Sequence, residues 1–141
     1  MGDTKYFVTA QALSSLVTYC MTLDQYGLEE LSKYIECEPS GRPFNYLSLT
    51  KKGLPHNPLI NSGAMMCCAL LDKEFNNDKR FENFAEKVKK LVGGARIDFN
   101  NEMFLSEMEA ASRNRSLLYM MEESGALPSE SGVKKTLEFY T

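Results

Sequence analysis

The stretch from Gly63 to Leu71 constrains this chain most, because it holds no charged side chain and is apolar nearly all round. A helix of that kind has no face to offer water, so it belongs at the centre of a fold. It is far too short to span a bilayer. Asn57-Pro58 ahead of it is a start signal, an Asn cap followed by Pro at the first helical position. The expectation is a central helix starting at Pro58 and running through Leu71, with other helices around it.

Hydrophobic spacing places those helices. Leu13, Leu16, Val17 and Cys20 fall at i, i+3, i+4 and i+7 within residues 10–22, which puts them on one face of a helix. Gly27 breaks the pattern, and Leu28, Leu31 and Ile35 open a second short helix ending near Cys37. Residues 38–57 carry Pro39, Gly41, Pro43, Gly53 and Pro55 and read as a long loop. Such loops are uncommon in compact domains and are often functional. Phe81, Phe84, Ala85, Val88, Leu91 and Val92 form an amphipathic stripe that Gly93-Gly94 ends. Residues 101–123 read as one longer helix with Phe104, Leu105, Met108, Leu118 and Tyr119 in the core, stopped by Gly125 and Pro128. Ser129 or Ser131 is placed to cap a last helix bearing Val133, Leu137 and Tyr140. A short strand over residues 4–9 is the one extended element expected. The fold class is mainly α, a helical bundle-like domain over residues 1–141. An ending at Thr141 within a helical run, rather than in a polar linker, suggests a larger unit.

Composition narrows the function. Hydrophobic residues make up 43% and charged residues 25% of the chain, ordinary for a folded globular protein. A net charge of -3 gives no electrostatic footprint for nucleic acid or an anionic membrane. The four cysteines are Cys20, Cys37, Cys67 and Cys68, with no CxxC among them, and His56 is the single histidine. A zinc site is not expected, and free thiols in a reducing compartment are.

Several short motifs occur in order along the chain. Gly2-Asp3-Thr4-Lys5 comes first, then Glu38-Pro39-Ser40-Gly41 with Phe44-Asn45 after it. Pro55-His56-Asn57-Pro58 follows, leading through Asn61 to Gly63-Ala64. Ser106-Glu107 with Arg113-Asn114, and Leu137-Glu138-Phe139-Tyr140, complete the set. Together they resemble the serine-dependent glutaminases of the β-lactamase-like superfamily, and His56 leans toward the animal type. The resemblance implies the helical first half of a glutaminase catalytic unit, with the C-terminal half absent. It implies an acyl-transfer reaction that converts glutamine and water to glutamate and ammonia. It also implies a Ser-x-x-Lys pair, whose i, i+3 spacing lets a neutral lysine take the serine proton.

That pair is replaced. In the implied register Ala12 stands at the serine position and Ser15 at the lysine position. Alanine has no nucleophile and serine is no base, so hydrolysis by this chain is not expected. Ser48 with Lys51 and Ser131 with Lys134 repeat the spacing, but read as a loop residue and a helix cap. Ser14 is followed three residues on by Val17, so a shift of register does not restore the motif.

The resemblance assigns substrate contacts to Asn61, Glu107, Asn114 and Tyr140. Their chemistry fits such a ligand, because a carboxylate holds an α-ammonium and a carboxamide donates and accepts at once. Glu107 and Asn114 lie seven apart, close to two helical turns, and so share a face of a continuous helix. No cofactor is implied, with phosphate as an activator. The implied partners are glutamine or glutamate and further copies of the chain, through a loop over residues 44–54. The implied compartment is the mitochondrion, with the cytoplasm as the alternative. Three functions remain open on these residues: part of a glutaminase, a pseudoenzyme that binds without turnover, and a helical module kept for assembly.

Overall fold

Six helices follow one another in the computed structural model, which describes residues 2, 6–74 and 79–141. They are α1 (Leu13–Leu31), α2 (Asn61–Glu74), α3 (Arg80–Leu91), α4 (Asn101–Ala110), α5 (Ser112–Glu123) and α6 (Val133–Tyr140). The apolar run makes α2 the central element, buried from Ser62 to Asp72 and packed against α1, α5 and α6. Met65, Met66, Ala69 and Leu70 of α2 share the core with Leu117, Leu118 and Met121 of α5 and with Val133 and Leu137 of α6. No described helix is long and apolar enough to cross a membrane.

Asn57-Pro58 does not begin α2. The Asn57 carboxamide accepts from the N–H groups of Leu59 (3.1 Å) and Ile60 (3.3 Å), which closes a tight turn just before the helix. The helical bonds begin later, with Ala64 N–H to the Ile60 carbonyl at 2.9 Å. Gly63 is required at this junction, since a Cβ there would lie 1.9 Å from the Asn57 carbonyl oxygen.

The apolar stripe of α1 faces outward, contrary to expectation. Leu13 is 74% exposed and Leu16 56%, and Cys20 is exposed too. The buried side is Ser15, Thr18, Met21, Thr22 and Leu31. Thr18 and Thr22 satisfy their hydroxyls on backbone carbonyls of α1 itself, at 3.0 and 2.7 Å, so burying them leaves no orphaned donor. Periodicity finds a stripe but not the side from which its cover comes. Gly27 (φ 72°, ψ 164°) kinks α1 near its end, and the Tyr26 hydroxyl donates to the Leu70 carbonyl of α2 at 3.0 Å. The second short helix is only the last turn after that kink, and buried Ile35 lies beyond it.

Further elements also differ from expectation. The helix over residues 101–123 breaks at Ala111 (φ -76°, ψ 16°) into α4 and α5. The break resets the helical phase, so Leu117 and Leu118 face inward while Leu105 and Tyr119 are exposed. The stripe on α3 buries none of its residues fully, and Phe81, Leu91 and Val92 are exposed. Gly132 precedes α6 without a side-chain cap. Ser131 instead donates to the Ala69 carbonyl at 2.8 Å and ties the start of α6 to α2. Residues 6–9 form no strand, and Thr4 and Lys5 lie outside the described residues.

Candidate functional site

The long loop is bonded to the segment before α2. Glu36 N–H donates to the Pro55 carbonyl at 3.0 Å and Glu38 N–H to the His56 carbonyl at 2.8 Å. The Asn57 carboxamide donates to the Glu38 carbonyl at 2.9 Å, and Asn61 N–H to the Phe44 carbonyl at 2.9 Å. These four bonds join the motif around Glu38 to the motif around Asn57 and fix the backbone of Asn61. Leu49 and Leu54 of the loop pack against the core, while Phe44, Tyr46 and Leu47 are exposed.

Asn61, at the start of α2, donates its carboxamide N–H to the Asn114 carboxamide oxygen on α5 at 2.9 Å. Further along α2, Cys68 and the α4 residue Glu107 both act on the α6 residue Tyr140. Burial is the main cause that pushes the Tyr140 hydroxyl from 10.0 up to about 12, and the Cys68 and Glu107 charges add to it. Asn61 and Cys68 are seven residues apart on α2, about two helical turns. Asn61 bonds Asn114, Tyr140 is half-buried at the end of α6, and Glu107 is exposed on α4. Glu107 and Asn114 stand on two helices, on either side of the Ala111 break, rather than on one continuous face.

Ala12 is the residue before α1, and Ser15 lies in the first turn, with its N–H on the Ala12 carbonyl at 3.1 Å. Ala12 is exposed and Ser15 buried. Gln11 has φ 46°, the single described non-glycine residue with a left-handed backbone. Backbone strain of that sort is retained where surrounding structure over-determines it. The other Ser-x-x-Lys strings do not form a nucleophile and base. Ser131 is committed to Ala69, while Lys134 is exposed and paired with Glu138 at 3.9 Å. Ser48 is half-buried and Lys51 exposed.

The thiols divide by depth. Cys20 and Cys37 are exposed, Cys67 and Cys68 buried, and all four are free. Burial pushes Cys67 from 9.0 up to about 12 despite a hydrogen bond with Thr22, and raises Cys68 as well. The Tyr19 hydroxyl is raised by burial first, then by Cys37, Cys67 and Cys20. Among the described residues no group of three or more His, Cys, Asp or Glu side chains is placed to hold a metal.

An ion cluster beside this site escaped the sequence reading. Arg80 at the start of α3 bonds Asp72 of α2 at 2.7 Å and Glu138 of α6 at 3.4 Å. Its guanidinium also lies 5.9 Å from the Phe139 ring centre. Glu138 and Phe139 directly precede Tyr140, so Arg80 holds the end of α6 against α2. The signal was Asp72, a charge directly following an apolar run, which calls for a partner.

The fold is that of the corresponding part of solved glutaminases. A Bacillus glutaminase crystallised in the presence of 4.3 M NaCl matches 99% of this chain at a TM-score of 0.87 and 32% identity, with 46% of its own chain covered. The glutaminase family profile matches residues 1–141, and the chain belongs to that family. A Caenorhabditis elegans glutaminase homologue is 40% identical over 139 residues, 99% of this chain and 24% of the relative. The mitochondrial liver isoform of rat glutaminase is 30% identical over 140 residues, 99% of this chain and 23% of the relative. The chain thus spans about a quarter of these animal relatives and just under half of the Bacillus protein.

Proposed function

We propose that this chain is the substrate-contacting helical part of a glutaminase-type unit that holds glutamine or glutamate without hydrolysing it. The contacts are Asn61, Glu107, Asn114 and Tyr140. One juxtaposition carries the reading. The polar groups around α2 are kept, with Asn61 bonded to Asn114 and Tyr140 half-buried at the end of α6, while Ala12 stands just before α1 and Ser15 in its first turn. A hydroxyl at position 12 and an amine at position 15 would be needed for acyl transfer, and neither is present. Family membership and the mitochondrial rat relative support glutamine as the ligand and the mitochondrion as the compartment. Exposed Phe44, Tyr46 and Leu47 on the loop offer a surface for self-association.

The test is glutamate release from glutamine, with phosphate added, by this chain and by an Ala12→Ser, Ser15→Lys variant. A parallel measurement follows the melting temperature with L-glutamine or L-glutamate, since a ligand of the folded state alone stabilises it. The expected result is no release by the unmodified chain and a ligand-dependent rise in melting temperature that Asn61→Ala and Glu107→Gln both remove. Turnover by the unmodified chain would refute the loss of hydrolysis. Absence of any shift would refute binding by this part alone.

A further inference from the structure

α3 buries none of its residues fully, yet it makes two separate contacts with the last turn of α6. At its first residue, Arg80 places one guanidinium nitrogen 2.7 Å from Asp72 on α2 and the other 3.4 Å from Glu138 on α6. One turn further along α3, the Phe84 ring meets Phe139 edge to face, with centres 6.3 Å apart. The Arg80 guanidinium stands 5.9 Å from the centre of that same Phe139 ring. The Asp72 side chain is 3% exposed and that of Arg80 17%. An ion pair at such depth costs about as much to desolvate as its attraction returns, so stability alone does not account for it.

What the cluster does fix is geometry. A guanidinium is a planar, rigid fork, so two carboxylates bonded through its two nitrogens are held at a set separation. Here that separation lies between α2 and the end of α6. The other end of α6 is tied to α2 by the Ser131 hydroxyl on the Ala69 carbonyl at 2.8 Å. With both ends tied, the grip on Glu138 and Phe139 also sets the rotation of the eight-residue α6 about its own axis. Tyr140 is the next residue, about 100° further round the helix, so its direction follows from theirs. It packs against the core that α2 and α6 share. We propose that Arg80 is a positioning residue: through Asp72 and Glu138 it sets the angle at which Tyr140 meets glutamine or glutamate. The ligand half of this inference rests on the reading of Tyr140 as a contact, whereas the setting of Tyr140 rests on the contacts of Arg80 and Phe84 alone.

Two variants separate position from stability. Arg80→Lys keeps a cation for Asp72 but has no second nitrogen for Glu138, and Glu138→Ala removes the second carboxylate while leaving Asp72 and Arg80 paired. Both are expected to melt close to the unmodified chain. Lys134→Ala, which removes the other cation near Glu138 (3.9 Å), is the control. Tyr140 is followed by NMR in chain isotope-labelled at the tyrosine rings, its signal among the seven tyrosines being identified by Tyr140→Phe. Arg80→Lys and Glu138→Ala are expected to move the Tyr140 signal and leave those of the other tyrosines in place. They are also expected to weaken L-glutamine binding about tenfold, the scale of one hydrogen bond lost. Lys134→Ala is expected to do neither. An unmoved Tyr140 signal in both variants would overturn the proposal, as would unchanged glutamine affinity in a variant whose Tyr140 signal has moved. Melting as early as that of Arg80→Ala in both variants would overturn it too, because Arg80 would then be structural only. If the unmodified chain binds no glutamine, the ligand-holding reading fails by itself, and the Tyr140 signal alone decides whether Arg80 sets the tyrosine.

Discussion

Two cysteines side by side in the sequence differ from the other two in reactivity because of depth alone. Alkylation at neutral to mildly alkaline pH is expected to modify Cys20 and Cys37 and spare Cys67 and Cys68 until the chain unfolds, which intact-mass analysis before and after denaturant reads directly. The same burial makes stability depend on pH. The Cys67 proton is held up to about 12 in the folded state against an ordinary 9.0, and the Tyr140 proton up to about 12 against 10.0. The folded state therefore binds more protons than the unfolded one in that interval. The stabilising contribution is complete below the ordinary values and is lost as pH rises through them toward the folded ones. Each group is expected to lower the unfolding free energy by up to about 1.4 kcal/mol per pH unit, seen as a urea midpoint that falls from about pH 9, steepens above pH 10 and levels off toward about pH 12.

Among the elements, α2 was legible because its composition leaves it no exposed side, and the Gly93-Gly94 stop was legible because glycine ends helices for a local reason. The orientation of α1 was not legible. Leu13, Leu16, Val17 and Cys20 obey helical spacing whether their cover is within the chain or beyond it. The Ala111 break was equally silent, since alanine is the best helix former and nothing local marks a change of phase there. Of the candidate site, the residue types at Asn61, Glu107, Asn114 and Tyr140 were readable, but the direct Asn61–Asn114 bond depends on how α5 lies across α2. Two junctions are expected to be intolerant of change. Gly63→Ala would force the Asn57 carbonyl away from α2 and destabilise by about 3 kcal/mol or more in chemical denaturation. Arg80→Ala would leave Asp72, 6% exposed, without its cation, at a loss of about 3 kcal/mol, and Asp72→Asn in the same chain should recover part of it.

For the whole molecule, stability is concentrated rather than evenly spread. α2, α5 and α6 share one core, whereas α3 and α4 bury none of their residues fully. Hydrogen exchange is expected to separate them, with amides of α2 and α5 opening only on global unfolding and those of α3 and α4 exchanging through local opening. Equal protection across all six helices would contradict this picture. The bond between Asn61 and Asn114 reaches beyond stability, to discrimination. It engages a donor of one carboxamide and an acceptor of the other, so the pair retains an acceptor on Asn61 and a donor on Asn114. A third carboxamide can answer both at once, whereas a carboxylate offers only acceptors and sets one of them against the Asn61 oxygen. A ligand held beside this pair is therefore expected to be favoured as the amide over the acid by about tenfold, the scale of one neutral hydrogen bond, in parallel melting titrations with L-glutamine and L-glutamate. A unit built this way would let the acid go more readily than the amide, whichever chain performs the chemistry.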